Sequence, residues 1–561
     1  MTPDSYSPLF ERVAKTLGND GARQWWILSE ETHRASYLGN PGAAVRKLDA
    51  AADAATGSAL APAFRLWAAD ALARVRRDRE AIASYDRVLA EPQSGEPFDR
   101  IDFAREALRQ RADLFALTGD VDGAVGSFRE LETRGERGAL FGAGVAAEHA
   151  GRLEQAAELY REIAAAERGP NPHDLSQRAL RAAERLTRRD GVYASTETEI
   201  ASLVKRAITS RNGAELRRLA SRTHFNAGPG CGHYHYETEE VVDKLCEALD
   251  SSRPQRLHRG LLGTGDKRYL LTSGWHSAWF QNVVGFTFVR TGLGWEWQGL
   301  VVNSPAEPWV ERWAPKEKRT NQALTLPLLA PWPEGRYFMA GGLSRYILQE
   351  AAASALWIGG WALRLSYATS RCGYGLRGFY YNSTFSHVGD DAFAIDFSSY
   401  RRYVPYWNIS GGTPVLSPAD GIVRWSRGHI PSGGDWETNT VWIDHDDPAT
   451  GTPRYLTKYL HLAGPGQVLV STAMVAPTGR RLGLMNDTGI SLIDHLHFSI
   501  HDRTLGPGDG PSVRPSPMND QTLGDGDSGK CLRSTNRETI VPPSGCGAVL
   551  VEVLKRILGR R

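Results

Sequence analysis

The chain has 561 residues, 41% hydrophobic and 23% charged, a balance that excludes wholesale disorder and a polytopic membrane protein. At roughly 100–200 residues per domain, this length predicts about three to five domains. Sixty-six basic against 64 acidic side chains leave a net charge of +2, which excludes the strong positive field that steers a molecule onto nucleic acid or anionic lipid.

Met1 to Leu9 shows no basic start followed by an apolar run, so no secretory signal peptide is visible and localisation stays open. From about residue 10 to 190 the chain is rich in Ala, Leu, Glu and Arg at helical spacing, which predicts successive amphipathic helices. A small residue followed four positions later by a large one recurs as Ala44 and Leu48, Ala81 and Tyr85, Ala124 and Phe128, and Ala156 and Tyr160. The Ala lets neighbouring helices approach and the large side chain fills the groove so opened, which is how helical hairpins stack into a solenoid. These segments resemble tetratricopeptide repeats in about four degenerate copies. The resemblance implies an all-α solenoid over 1–190 and a surface for a protein partner.

Residues 191–315 read as a small α+β domain, with a helical pattern over Glu199–Ala220 and strand-like runs at Arg268–Thr272 and Val284–Arg290. Cys231, His233, His235 and Glu237 alternate as zinc donors on one strand face would, but they begin in a Gly-Pro loop, and a disulfide or exposed loop is the favoured reading. Of the five cysteines, Cys231 could pair with Cys246 and Cys531 with Cys546, leaving Cys372 free.

Residues 316–545 turn richer in Gly, Pro and aromatics, with β-branched runs between turns, and predict an antiparallel β domain. The apolar stretch Ala351–Leu363 is too short to span a bilayer and reads as buried core. Residues 546–561 predict a docked terminal helix. In the run His495-Leu496-His497-Phe498, period-2 alternation sends both imidazoles to one side and Leu496 and Phe498 to the opposite core. Two adjacent imidazoles disfavour joint protonation, and zinc resolves the conflict by holding one neutral. A catalytic zinc needs three protein ligands and one open position. His387, Asp396 and His497 are the candidate ligands, and His461 and His495 remain to hydrogen-bond water and the oxyanion.

The order of Asp396 in an IDF run, GTPV followed by DGIV, Tyr-x-His-Leu, GLMNDTG over Gly483–Gly489, and His-Leu-His-Phe resembles the lysostaphin-type zinc endopeptidases that cut peptidoglycan cross-bridges. The likeness runs over residues 385–502. It implies zinc held by His387, Asp396 and His497, one ion per catalytic domain, with His495 and His461 activating water and stabilising the tetrahedral intermediate. The sequence departs from the commonest form of the family, since Ala392 stands four before Asp396 and the nearest upstream His is nine away. Asp390 and Asp391 are the fallback ligands. The implied activity is hydrolysis of amide bonds in peptidoglycan peptides, at the cell envelope or outside it, with no nucleic acid and no membrane span involved. The alternative is a catalytically silent wall-binding or hydrolase-activating protein. Tyr459 is a candidate to share the face of His461. His501 reads as surface, and His429 and His445 read as loop residues at the cleft rim.

Overall fold

The computed structural model describes residues 8–91, 98, 101–136, 138–166, 175–188, 191–221, 226–228, 238–250, 256–257, 260–261, 265–277, 280–302, 324, 326–331, 337–340, 394–398, 411–431, 438–489, 494–506, 508–513, 518, 531–533 and 536–538. His387, Asp390, Asp391, Cys231, His233, His235, Glu237, the 351–363 stretch and the 546–561 tail lie outside the described residues.

The expected helical array is present: α1 (Pro8–Tyr37), α2 (Val45–Ala54), α3 (Leu60–Arg74), α4 (Asp78–Ala90), α5 (Phe103–Thr118), α6 (Val121–Thr133), α7 (Ala139–His149), α8 (Leu153–Ala166) and α9 (Leu175–Arg188). Asp102 and Asp120 cap α5 and α6 by accepting from the N–H groups of Arg105 and Gly123. All eight Ala and large-residue positions of the repeat are buried. The aromatic rings need glycine opposite them. A Cβ on Gly142 would stand 2.8 Å from the Phe128 ring, and one on Gly144 would strike Tyr160. None of the described helices is long and apolar enough to cross a membrane.

The middle unit has α10 (Glu197–Thr209), α11 (Gly213–Leu219), β1 (Asn226–Gly228), α12 (Thr238–Asp250), β2 (Arg256–Leu257), β3 (Lys267–His276), β4 (Gln281–Thr291) and β5 (Gly294–Val302). Its sheet runs β1-β5-β4-β3-β2, with β1 parallel to β5 and the other pairs antiparallel. The single helix expected over 199–220 is two. Arg211 adopts φ +52° and Asn212 caps the second helix through the N–H of Glu215, so the chain turns between them. Cys246 is a free, buried thiol that donates to the Gly213 carbonyl at 3.4 Å.

The C-terminal unit comprises β6 (Tyr337–Ala340), β7 (Ile395–Ser398), β8 (Pro414–Leu416), β9 (Gly421–Arg427), β10 (Asn439–Asp446), β11 (Pro453–Leu462), β12 (Val475–Ala476), β13 (Arg481–Leu484), β14 (Leu496–Asp502), β15 (Ser512–Val513) and β16 (Cys531–Arg533). The main sheet follows the order β12-β9-β10-β11-β14-β7-β6-β16, antiparallel throughout, and β8 pairs with β13 apart from it.

The helical array is not separate from this sheet. One apolar core joins Trp25, Phe64, Leu66 and Trp67 to Val468, Val470, Met474 and Val475. Residues 468–476 form a strap whose carbonyls find donors on the helices, as buried backbone groups must. Trp25 Nε1 donates to Ala473 O at 2.8 Å, Trp67 Nε1 to Thr472 O at 2.7 Å, and Arg74 to Val468 O and Val470 O at 2.9 Å each. Arg427 on β9 forms a bidentate pair with Asp113 on α5, at 2.6 Å for both bonds and with both groups buried. Side chains of α1, α3 and α5 thus pack against the chain's own sheet. The middle unit is tied to the helices through Arg185, which pairs with both Glu148 and Glu296 in a buried cluster.

Candidate active site

Three of the sequence candidates converge. The His461 and His495 ring centroids are 4.5 Å apart, and those of His461 and His497 are 6.0 Å apart at 90°. All three imidazoles are buried, at 6%, 1% and 5% exposure respectively. His497 lies on β14, where Leu496 and Phe498 are fully buried, as the alternation requires. Asp396 lies on β7 directly opposite His497 in the antiparallel register.

His461 reaches the cluster through a break in strand geometry. On β11, Tyr459 pairs with Phe498 and Leu460 with His497, so strict alternation would send residue 461 to the side of Tyr459. Instead the β10 and β11 registers slip between Asn439/Leu462 and Val441/Tyr459, and His461 takes φ +63°. This bulge turns the imidazole toward His495 and His497. It also explains why Tyr459 does not join the site. That side chain is fully buried and packs on Phe498 with centroids 5.3 Å apart.

The cluster is held by a second turn, Asn486–Gly489. His461 Nδ1 lies 2.7 Å from the carbonyl oxygen of Thr488. A carbonyl only accepts, so Nδ1 carries a proton in this bond, which in the neutral ring leaves the lone pair on Nε2. Thr488 is itself fixed, since its hydroxyl donates to Leu462 O at 2.7 Å and accepts from Asn439 N at 3.1 Å. The His461 N–H donates to the Thr438 hydroxyl at 2.8 Å, and Asn486 N donates to His461 O at 2.8 Å. Asn486 also bridges His495. Burial raises the carboxyls of Asp487 and Asp494, the latter to about 7 with Asp487 adding to the effect, while Lys267 and His495 oppose it in both.

Thr438, Thr488 and Lys267 were not among the sequence candidates. Thr488 sits in the quoted Gly483–Gly489 motif, so its neighbourhood was visible although its role was not. Lys267 lies more than two hundred residues from the turn it contacts and left no local signal. The remaining histidines depart from expectation. His501 is buried, with Nδ1 donating to Gly510 O at 2.9 Å. His445 lies within β10, donates from Nδ1 to Asp420 O and accepts from the Thr457 hydroxyl, both at 2.8 Å, and burial lowers it to about 4. His429 is buried 3.4 Å from the Tyr85 hydroxyl of α4. His445 and His501 are satisfied interior groups, whereas His429 lines a cavity with Ile430 and Pro431 and its buried Nδ1 has no hydrogen-bond partner among the described residues.

Among the described residues no three His, Cys, Asp or Glu side chains are grouped as a metal cage. Of the expected ligand set, His387 lies outside the described residues and Asp396 is placed by its strand register. The chemistry of the donor set fits zinc, since buried imidazoles next to a carboxylate-bearing position supply the mixed nitrogen and oxygen ligands that ion takes.

Residues 406–514 match Peptidase family M23. That segment includes His461, His495 and His497, and neither His387 nor Asp396. Over 89 residues the chain is 35% identical to the peptidoglycan DD-endopeptidase ShyA of Vibrio cholerae, covering 16% of this chain and 17% of that one. Over 95 residues it is 33% identical to an uncharacterized metalloprotease of Haemophilus influenzae, covering 17% of each. The chain thus spans about a sixth of the length of the curated relatives it matches. Among solved structures, the catalytic domain of the antimicrobial peptidase lysostaphin from Staphylococcus simulans aligns at 20% identity over 27% of this chain and 94% of that one, with a TM-score of 0.18. A kinesin light chain with TPR-like repeats from Podosopora anserina aligns at 18% identity over 33% and 96%, with a TM-score of 0.23.

Proposed function

From the premise that the C-terminal region carries a peptidase family M23 domain, we propose that the chain is a zinc-dependent endopeptidase that hydrolyses amide bonds in peptidoglycan peptide cross-links. The observation that carries this reading is the convergence of His461, His495 and His497 in one buried cluster, with Asp396 in register across from His497. Directly opposite positions on neighbouring strands are the ones that can interact. The substrate class is supported by the aligned segment of the DD-endopeptidase.

His497 and Asp396 would hold the zinc together with His387. When bound, zinc supplies Lewis acidity toward the scissile carbonyl. The chain's own residues supply the rest. His461, with Nδ1–H donated to Thr488 O, would accept at Nε2 the proton of the water that adds to the carbonyl carbon and return it to the departing amine nitrogen as the C–N bond breaks. His495, next to it, donates to the developing oxyanion. Burial excludes competing water from both imidazoles.

Elemental analysis and mass spectrometry of digested wall fragments test the assignment. His497→Ala and Asp396→Ala are each expected to lose both zinc and turnover. His495→Ala is expected to retain zinc and lose about 10²–10⁴-fold in rate. Full hydrolysis by His497→Ala would remove the ligand assignment.

A further inference from the structure

The middle unit reaches the turn beside His461 through β3. Lys267, the first residue of β3, is 3% exposed. Its ammonium donates to Gly489 O at 3.0 Å and approaches Asp487 O at 3.5 Å. These two carbonyls flank that of Thr488, which accepts from His461. Lys267 and His461 thus hold consecutive carbonyls of the same short turn, the ammonium at Asp487 and Gly489 and the imidazole at Thr488. Burying an ammonium is costly unless opposite charge surrounds it, and Asp487 and Asp494 both feel the charge of Lys267. Tyr269, two residues along β3, is buried beside the same two carboxyls. A lysine so placed has a cost that solvent exposure would avoid, and its contacts converge on the three-residue turn that sets the His461 tautomer.

We propose that Lys267 is a positioning residue for the hydrolytic site, acting through the Asp487–Gly489 turn to hold the Thr488 carbonyl against His461 Nδ1. The inference rests on the function proposed above and assigns the middle unit a part in it. Without the ammonium the turn loses its hold at Gly489 O and keeps the Thr488 hydroxyl and Asn486 N–H bonds, which weakens the Nδ1–H bond and lets the imidazole populate its second tautomer, in which Nε2 carries the proton.

The test uses the full chain with Lys267→Met, Lys267→Gln and Lys267→Arg. In metal-free protein carrying ¹⁵N-histidine, the ring nitrogen shifts of His461 are expected to report a single Nδ1–H tautomer for the wild type and a mixture for Lys267→Met. With zinc restored, Lys267→Met is expected to lose about tenfold to a hundredfold in kcat at nearly unchanged KM, with zinc stoichiometry equal to wild type. Lys267→Arg, which keeps a charged donor, is expected to recover much of that loss. Should Lys267→Met not fold, Lys267→Gln, with a neutral donor, is expected to show a smaller tautomer shift in the same direction. An unchanged His461 tautomer in the folded Met or Gln variant overturns the proposal. So does activity equal to or above wild type, which would make β3 an obstruction. If the wild type cleaves no cross-link, the hydrolase reading fails while the tautomer comparison still decides whether Lys267 positions His461.

Discussion

At the scale of single residues, the left-handed backbone of His461 separates two effects that substitution usually confounds. Alanine at φ +63° pays the steric penalty of its Cβ, about 1–2 kcal/mol, whereas glycine adopts that geometry freely. His461→Gly is therefore expected to be no less stable than His461→Ala in urea unfolding, and to lose about 10²–10⁴-fold in turnover. Added imidazole, entering the space left by the ring, is expected to restore part of that rate, and an absence of rescue would count against His461 as the proton acceptor. His445 offers a test by pH. Burial lowers it from 6.5 to about 4 in the folded chain. Between those values the unfolded chain binds more protons, so stability falls as pH drops from 6.5 toward 4, by about 1.4 kcal/mol per pH unit from this one group. His445→Asn, which retains a donor toward Asp420 O, is expected to flatten the urea-unfolding profile by that slope. An unchanged slope would mean that His445 titrates alike in both states.

Among elements, the contact of α5 with β9 concentrates its cost in one ion pair. Asp113 and Arg427 are bidentate and buried, so removing one partner strands a charge in the interior. Asp113→Ala is expected to destabilise the chain by about 3–5 kcal/mol, and the apolar double variant Asp113→Leu with Arg427→Met to recover most of the loss. Denaturant titration of the three proteins checks this. Elements of this kind were legible where their signal was local. The Ala and aromatic periodicity marked the buried faces of the helices, and the alternation of His495 and His497 marked the strand and the buried imidazoles gathered beside His461. What was not legible depended on backbone departures or distant partners. Tyr459 and His461 look equivalent in a strict period of two, and a bulge that no residue type announces separates them. His445 and His501 read as exposed because a polar ring in a short strand hides whether acceptors such as Asp420 O and Gly510 O will be waiting. Lys267 could not be found from its own neighbourhood at all.

For the whole molecule, the described residues couple the three units at several seams: Arg185 with Glu148 and Glu296 between helices and middle sheet, the 468–476 strap and the Asp113–Arg427 pair between helices and C-terminal sheet, and Lys267 between the middle and C-terminal sheets. The three units expected from the sequence are thus joined through buried polar groups, with the C-terminal sheet packed on helices and its Asp487–Gly489 turn touched by β3.

The order of synthesis gives the strap a further consequence. Trp25 and Arg74 meet partners 448 and 394 residues later in the chain. At about 5–20 residues per second the ribosome needs roughly 20–90 s to deliver them. Throughout that interval the indoles and apolar side chains of α1 and α3 have no sheet to cover them, which is the condition under which nascent chains recruit chaperones or aggregate. Chains stalled before residue 465 are expected to bind a hydrophobic dye strongly and chains extended past residue 540 weakly; equal binding would show that the early helices close over themselves while they wait.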